Sequence, residues 1–212
     1  MAHIKSLARA AVASLPLACD ERADALAIID GLPEQYQYRA IIGRTLRERL
    51  RPCGPEALDA YDRFAARFPG QSPFSWIPAS QHFAGLLRVA TLVLPNAPMH
   101  RALNALVGAN APEALSQMPS LKAMLKASDG NIQQFLRNLG SSIRTYQNFG
   151  FVEVLHAHQH HVQVVYDDVY SPLVNYIDAP YLRALLRGLL HIPAEVTTDE
   201  VLPTSVVLSF RW

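Results

Sequence analysis

The chain has 212 residues, half of them hydrophobic and 17% charged, a globular composition long enough to bury a sizeable core and unlike that of a disordered chain. Nineteen Lys and Arg against eighteen Asp and Glu leave a formal net charge of +1, so no general attraction to nucleic acid or to an anionic membrane is expected. No apolar run reaches the ~20 residues that span a bilayer, and the two cysteines, Cys19 and Cys53, lie outside any C-x-x-C pair and read as two buried free thiols in a reducing cytoplasm.

The opening MAHIKSLARAAVASLPLACD superficially resembles a secretion signal, with Lys5 at its start and Ala18-Cys19 at its end. Arg9 splits its apolar stretch and Pro16 interrupts the remainder, so an amphipathic opening helix is expected. Asp20 is placed to cap a helix through Ala25, Leu26, Ile28 and Ile29 that stops at Gly31, with Pro33 beyond. A further helix is predicted from about 35 to 51, closed by Pro52-Cys53-Gly54-Pro55, and another over about 56 to 68. The arginines of RTLRERLR, residues 44 to 51, surround Leu46 and Leu50 and read as a solvated helix face rather than a phosphate-binding strip. FPGQSPFSWIP, residues 68 to 78, is the clearest break in the chain, and its Phe74 and Trp76 are expected to pack down.

Ser80 is placed to cap a helix with Phe83, Leu86, Leu87, Ala90 and Leu94 on one stripe, ended by Pro95. The next helix starts at Asn96 and Pro98 and is predicted to end at Gly108, and two short helical pieces interrupted by Pro119 follow. Asp129 is expected to open a longer helix in which Ile132, Phe135, Leu136, Leu139 and Ile143 form one apolar stripe. At Gly150 the period changes from 3.6 to 2. A hairpin follows, in which pairing Val154 with Val164, Val152 with Tyr166 and His156 with Val162 keeps the apolar faces together. That register makes His158-Gln159-His160 the turn and leaves His156 near the rim of the apolar face. Asp178 is expected to cap a helix over 179 to 191 that buries Tyr181, Leu182, Leu185, Leu186, Leu189 and Leu190. Short strands near 194 to 197 and 204 to 211 complete the chain, the last with Val206, Leu208 and Phe210 on one face.

The expected fold class is therefore α+β: a multi-helix N-terminal region, then strand-strand-helix-strand-strand forming a small antiparallel sheet. The expected organisation is a helical region over 1–147 with a candidate break at 68–78, and an α+β cap over 148–212 packed on it as one domain.

HAHQHH, residues 156 to 161, concentrates four of the eight histidines. His156 and His158 have the H-x-H spacing that sets two imidazoles on one side of a strand, and Asp167 or Asp168 could add oxygen ligands to zinc or copper. A turn interrupts that spacing, and the aspartates fall at the far end of the partner strand, so a solvated hairpin tip is the expectation and no metal ligand is assigned. Asp167 and Asp168, as strand neighbours, point to opposite faces and do not form a carboxylate pair. The sequence contains no G-x-S-x-G elbow, no phosphate-binding glycine loop and no H-E-x-x-H helix, so no catalytic residue is assigned and the protein is not expected to be an enzyme. His82 beside the Phe83/Leu86 stripe, His100 one turn before Leu103 and Val107, and Tyr146 where helix meets sheet are the candidates for polar groups lining a ligand cavity.

A strand running into an aromatic-serine-proline stretch and a leucine-rich helix, VVYDDVYSPLVNYIDAPYLRALLRGLL over 164 to 190, resembles the haem-nitric-oxide-binding and 4-vinyl-reductase-like fold group. With FSWIP, LRNLGSSIRTYQNFG and the terminal VVLSFRW, the layout over residues 70 to 212 is similar to a paralogous family of uncharacterised myxobacterial proteins. The resemblance implies a sensory, ligand-binding fold and transfers no catalytic residue. Haem-binding members of the group use a Tyr-x-Ser-x-Arg motif on the haem propionates; here Tyr170-Ser171 is followed by Pro172 and Leu173, so both the spacing and the arginine are missing. His100 is the residue that a proximal haem ligand would call on. No cofactor is therefore expected, haem and zinc being the minority alternatives.

Together these features point to a cytoplasmic, non-catalytic regulatory or signalling module that binds a small apolar molecule or a protein partner where helices meet sheet. A homo-oligomeric assembly protein, such as a homodimer, is the alternative, and a haem or metal protein the third.

Overall fold

The computed structural model describes residues 2–69, 72, 74–117, 119–129, 131–189 and 193–212. The chain divides into two compact units, residues 1–106 and 107–212.

In the first unit α1 (Ala2–Ala13), α2 (Cys19–Gly31), α3 (Ile41–Glu48) and α4 (Pro55–Ala65) all pack on α5 (Ala79–Val93). α5 is apolar on nearly every side, which is the pattern of a helix at the centre of a core. Phe83, Ala84, Leu86, Leu87, Val89 and Ala90 are all buried. The expected helix from residue 35 is replaced at its start by a short strand, β1 (Gln37–Arg39), paired antiparallel with β2 (Trp76–Pro78). The reason is visible in QYQYR: Tyr36 and Tyr38 alternate with polar residues and are both buried, a period of two that a helix cannot satisfy. Arg39 lays its guanidinium 4.0 Å from the Trp76 ring centroid. Phe74, expected to pack down, is 77% exposed. Gly70, Gln71 and Pro73 of the same stretch lie outside the described residues.

Two caps differ from expectation. α2 begins at Cys19, so Asp20 lies inside its first turn, where a carboxylate suits the helix dipole, and Ser80 is likewise buried in the first turn of α5. Cys19 and Cys53 are free thiols as expected but exposed rather than buried. Within RTLRERLR, Arg47 lies on a solvated face and makes paired bonds of 2.9 and 2.8 Å to Asp62, while Thr45, Leu46 and Leu50 are buried.

α6 (Met99–Gln117) runs on past Gly108 instead of stopping there. A Cβ on Gly108 would meet Ala184 at 3.7 Å, so the helix continues because it is packed, at a propensity cost of about 1 kcal/mol for a glycine. Pro119 opens α7 (Pro119–Ser128) as its first residue, where a missing N–H costs nothing. Asp129 adopts φ +45 in the turn beyond, and Asn131, not Asp129, caps α8 (Ile132–Ile143) by accepting the Gln134 N–H at 3.1 Å. Ile132, Phe135, Leu136 and Leu139 form the buried stripe.

The sheet of the second unit is antiparallel throughout, in the order β3 (Phe151–His158), β4 (His161–Asp167), β6 (Ser205–Arg211), β5 (Glu195–Leu202). Its inner face is Val162, Val164, Tyr166, Val206, Leu208 and Phe210, closed to solvent. Val154 faces Val164 and Val152 faces Tyr166, as the apolar pattern requires. Beyond Val154 a bulge shifts the pairing: Ala157 rather than His156 faces Val162, and His158 faces His161. The extra residue returns an apolar side chain to the inner face, turns His156 out to solvent, and shortens the turn to Gln159-His160.

Between β4 and β5 the helix starts at Ser171, so Asp178 lies inside it rather than capping it. α9 (Ser171–Leu173) widens into a π-turn over Val174–Asp178 and continues as α10 (Ala179–Leu189). Pro180 has no N–H for the Tyr176 carbonyl and its ring would strike it; the wider turn, in which the Ala179 N–H reaches the Val174 carbonyl, absorbs the conflict. One consequence is that Asp178 Oδ2 is closed off without a hydrogen-bond partner, and burial pushes this carboxyl up to about 7. Leu182, Leu185 and Leu186 are buried as expected, while Leu190 and His191 lie outside the described residues.

The fold is α+β, with helices first and the antiparallel sheet at the C-terminal end. Two close approaches fix helix to sheet in the second unit. A Cβ on Gly140 would sit 3.2 Å from the Val152 carbonyl oxygen, so α8 lies directly against β3. Gly150, at φ +80, donates to the Asp168 carbonyl at 2.9 Å, and a Cβ there would lie 2.5 Å from Tyr166 Cε2. Tyr166 is fixed in turn, its hydroxyl accepting from Gln147 Nε2 at 2.6 Å. Gly150→Ala combines overpacking with a left-handed backbone and is expected to destabilise the protein by about 2–4 kcal/mol in urea unfolding; a loss under about 0.5 kcal/mol, the range of ordinary surface changes, would contradict this account.

Candidate functional site

The first unit holds an open groove of about 610 Å³ between the approach to α2 and the α5–α6 connection. Its floor is apolar, from Leu87 and Ala90 of α5, Leu94 just beyond its end, and Met99 and Ala102 of α6. Its rim is acidic: Asp20, Glu21 and Asp24 come from the first turns of α2, and His100 faces it from the start of α6. Glu21 is committed structurally, since its Oε1 accepts the Met99 N–H at 2.6 Å and so caps α6 from α2. Asp20 and Asp24, one turn apart on α2, make no hydrogen bond or ion pair among the described residues and remain available. No lysine or arginine lines the groove among those residues. The arrangement suits an apolar body with a cationic group held at the rim.

The three candidate cavity residues have separate fates. His100 is exposed and lines this groove. His82 is buried in α5 with its ring centroid 4.4 Å from that of Tyr38, and its Nδ1 is closed off with no hydrogen-bond partner. Burial lowers its pKa to about 4, so the imidazole is neutral at pH 7. Tyr146 belongs to the second unit, partly buried in the turn after α8.

The histidine-rich hairpin pairs two of its imidazoles and sends the other two elsewhere. His156 and His158 are exposed with ring centroids 4.3 Å apart, His160 lies in the turn beside Trp212, and His161 reaches across the sheet to place Nε2 3.0 Å from Ser209 Oγ. Among the described residues no group of three or more His, Cys, Asp or Glu could hold a metal ion.

Sequence reasoning missed Asp199. It sits at the bulge of β5, between Thr198 and Glu200, which folds its carboxylate over the outer face of the sheet. It accepts bonds from Ser209 Oγ, from Gln163 Nε2 at 2.8 Å and from Thr197 Oγ1 at 3.3 Å. Ser209 first, then Gln163 and Thr197, hold this carboxyl below its ordinary range. Ser209 is completely buried beneath this network, so the group braces the sheet and offers no accessible nucleophile. The only signal in the sequence was the polar pair Asp199-Glu200 in mid-strand.

No family model matches the sequence, and no curated protein does. Solved structures do match. One comes from work on modulating haem redox potential through protein-induced porphyrin distortion: TM-score 0.59, 10% identity, over 82% of this chain and 99% of that one. A point variant of the Fe(II) unliganded H-NOX protein from K. algicida gives a TM-score of 0.57 at 11% identity, over 82% and 95% of the two chains. A point variant of Tt H-NOX gives 0.55 at 12%, over 82% and 94%. The chain has the fold of these proteins.

The residues present do not fit haem. Leu173 is 1% exposed and Pro172 precedes it where an arginine would be needed for a propionate, and the one exposed histidine at a groove, His100, faces carboxylates with no cation to balance a dianionic porphyrin.

His82 gives this region a pH dependence. Its pKa is lower folded than the 6.5 of a free imidazole, so the unfolded chain takes up the proton first and stability is lost as pH falls from 6.5 to about 4. His82→Phe is expected to flatten that part of the stability–pH curve in thermal denaturation, and an unchanged slope would exclude His82 as its source.

Proposed function

We propose that this protein is a non-catalytic sensory or regulatory module that binds a small, mainly apolar molecule carrying a positive charge in the groove between α2 and the α5–α6 connection. The observation that carries the reading is the groove itself: an apolar floor of α5 and α6 residues beneath a carboxylate rim with no basic residue in its lining. One neighbour of this fold comes from work on haem redox potential, which supports ligand binding as the role, while the residues of this chain favour a ligand other than haem. This reading keeps the chain with the paralogous family that its FSWIP segment and terminal strand resemble, and in the cytoplasm, where the exposed thiols of Cys19 and Cys53 stay reduced.

The test is a thermal-shift screen with hydrophobic amines against their neutral and carboxylate analogues, at low ionic strength. Amines are expected to raise the melting temperature of the natural protein. The exposed rim variant Asp20→Lys/Asp24→Lys is expected to lose at least about tenfold in affinity for them, the scale of a charge-assisted contact. Equal shifts from neutral analogues, or amine binding retained by the variant, would refute this assignment.

A second reading, assembly through the sheet, is favoured by one specific feature. Phe151 and Leu155 on the edge strand β3, and Val201 and Leu202 on the edge strand β5, are large apolar residues exposed by 45%, 54%, 52% and 49%. Unpaired edges with such residues invite another copy of the chain, giving a homodimer or another protein partner. Light scattering across a concentration series is expected to show self-association that Leu155→Lys weakens; a monomer mass at all concentrations would remove this alternative.

A further inference from the structure

The bulge after Val154 builds a pair of imidazoles that an unbulged hairpin would not have. In the simple register His156 would face inward and His158 would fall in the turn. With the extra residue inserted, His156 faces Gln163 and His158 faces His161 in regular pairing, so both lie on the outer face of β3, two positions apart. β3 is an edge strand, and both side chains are exposed. The end of the strand is anchored from α8, where Gln133 Nε2 donates to the His158 carbonyl at 2.7 Å. The two rings stand edge to face with centroids 4.3 Å apart, and neither imidazole makes a hydrogen bond or ion pair among the described residues. The other two histidines of the hairpin are engaged elsewhere, His161 with Ser209 and His160 with the Trp212 ring.

The spacing of the rings selects a coordination geometry. Two imidazole nitrogens bound about 2.0 Å from one ion hold their ring centres about 4.5 Å apart when the angle at the ion is a right angle, and about 5.2 Å apart at a tetrahedral angle. The 4.3 Å between His156 and His158 matches the right-angled case. Square-planar and tetragonal sites of nitrogen and oxygen are those of copper(II) and nickel(II), whereas a closed zinc site is tetrahedral. We propose that His156 and His158 chelate a divalent transition-metal ion of right-angled geometry, copper(II) or nickel(II), on the outer face of β3. No third His, Cys, Asp or Glu joins the pair among the described residues, so water or an incoming donor fills the remaining positions. The site belongs to the second unit and stands or falls independently of the groove in the first.

The experiment titrates the full chain with copper(II) and, separately, with nickel(II) by calorimetry in a non-coordinating buffer. All samples carry His3→Gln, because His3 is exposed at the start of α1 and would compete for the same ion. One ion per chain is expected, copper(II) binding more tightly than nickel(II), and the copper-loaded protein is expected to show coupling to two nitrogens in its electron paramagnetic resonance spectrum. His156→Gln and His158→Gln are each expected to weaken copper binding at least about tenfold and to leave coupling to one nitrogen. His160→Gln, an exposed imidazole of the same hairpin, is expected to change neither readout. A measurement without hairpin substitutions keeps the test valid should a variant misfold: the ion is expected to broaden the His156 and His158 ring resonances before those of His100, His160 and His161. Coupling to a single nitrogen with the hairpin intact, binding that survives both substitutions, or equal weakening by His160→Gln overturns the proposal.

Discussion

The burial of α5 is the constraint on which the first unit depends. Four helices and a two-stranded ribbon close around a helix that presents almost no polar surface of its own, so its few polar side chains are held wherever the packing leaves them. His82 is driven into the core as a neutral imidazole against Tyr38. Arg88 keeps its Nε from water. The C-terminal end of the helix, through Leu87 and Ala90, supplies the groove floor together with Leu94 just beyond it. The candidate ligand site is thus one edge of this buried element.

In the second unit the informative places are those where the backbone leaves its regular path. The bulge after Val154 turns His156 out to solvent beside His158, and the bulge at Asp199 swings a carboxylate over the outer face of the sheet. The π-turn before Pro180 leaves Asp178 short of a partner. Each follows from a conflict between local chemistry and packing: an imidazole on an apolar face, a polar pair in mid-strand, a proline inside a helix. Gly150 is the counter-example, a residue chosen so that backbone and packing agree, because only a missing side chain lets Tyr166 lie against the strand start.

The likeness to H-NOX proteins at about a tenth of sequence identity is a likeness of fold, and a fold does not by itself fix the chemistry of a site. Helices and an antiparallel sheet need only apolar residues at the right period. A propionate clamp needs particular residues at particular places, and here a proline and a buried leucine stand in that stretch. Fold and site therefore give different information about this chain, and the site governs the functional reading.

Much of the architecture was legible because it rests on periodicity. The stripes of α5 and α8 and the inner face of β6 could be read directly, as could the change of period at Gly150 and the first two pairs of the hairpin. Only the tertiary structure decided the rest: that Gln37–Arg39 pairs as a strand with Trp76–Pro78, that α6 runs through Gly108, and that the hairpin bulges so that His156 faces water. The groove was equally hidden, because it joins residues distant along the chain, Asp20 with Met99. Local sequence fixes which side of an element is apolar; which elements meet, and therefore which polar groups gather, is settled by the packing of those sides against one another.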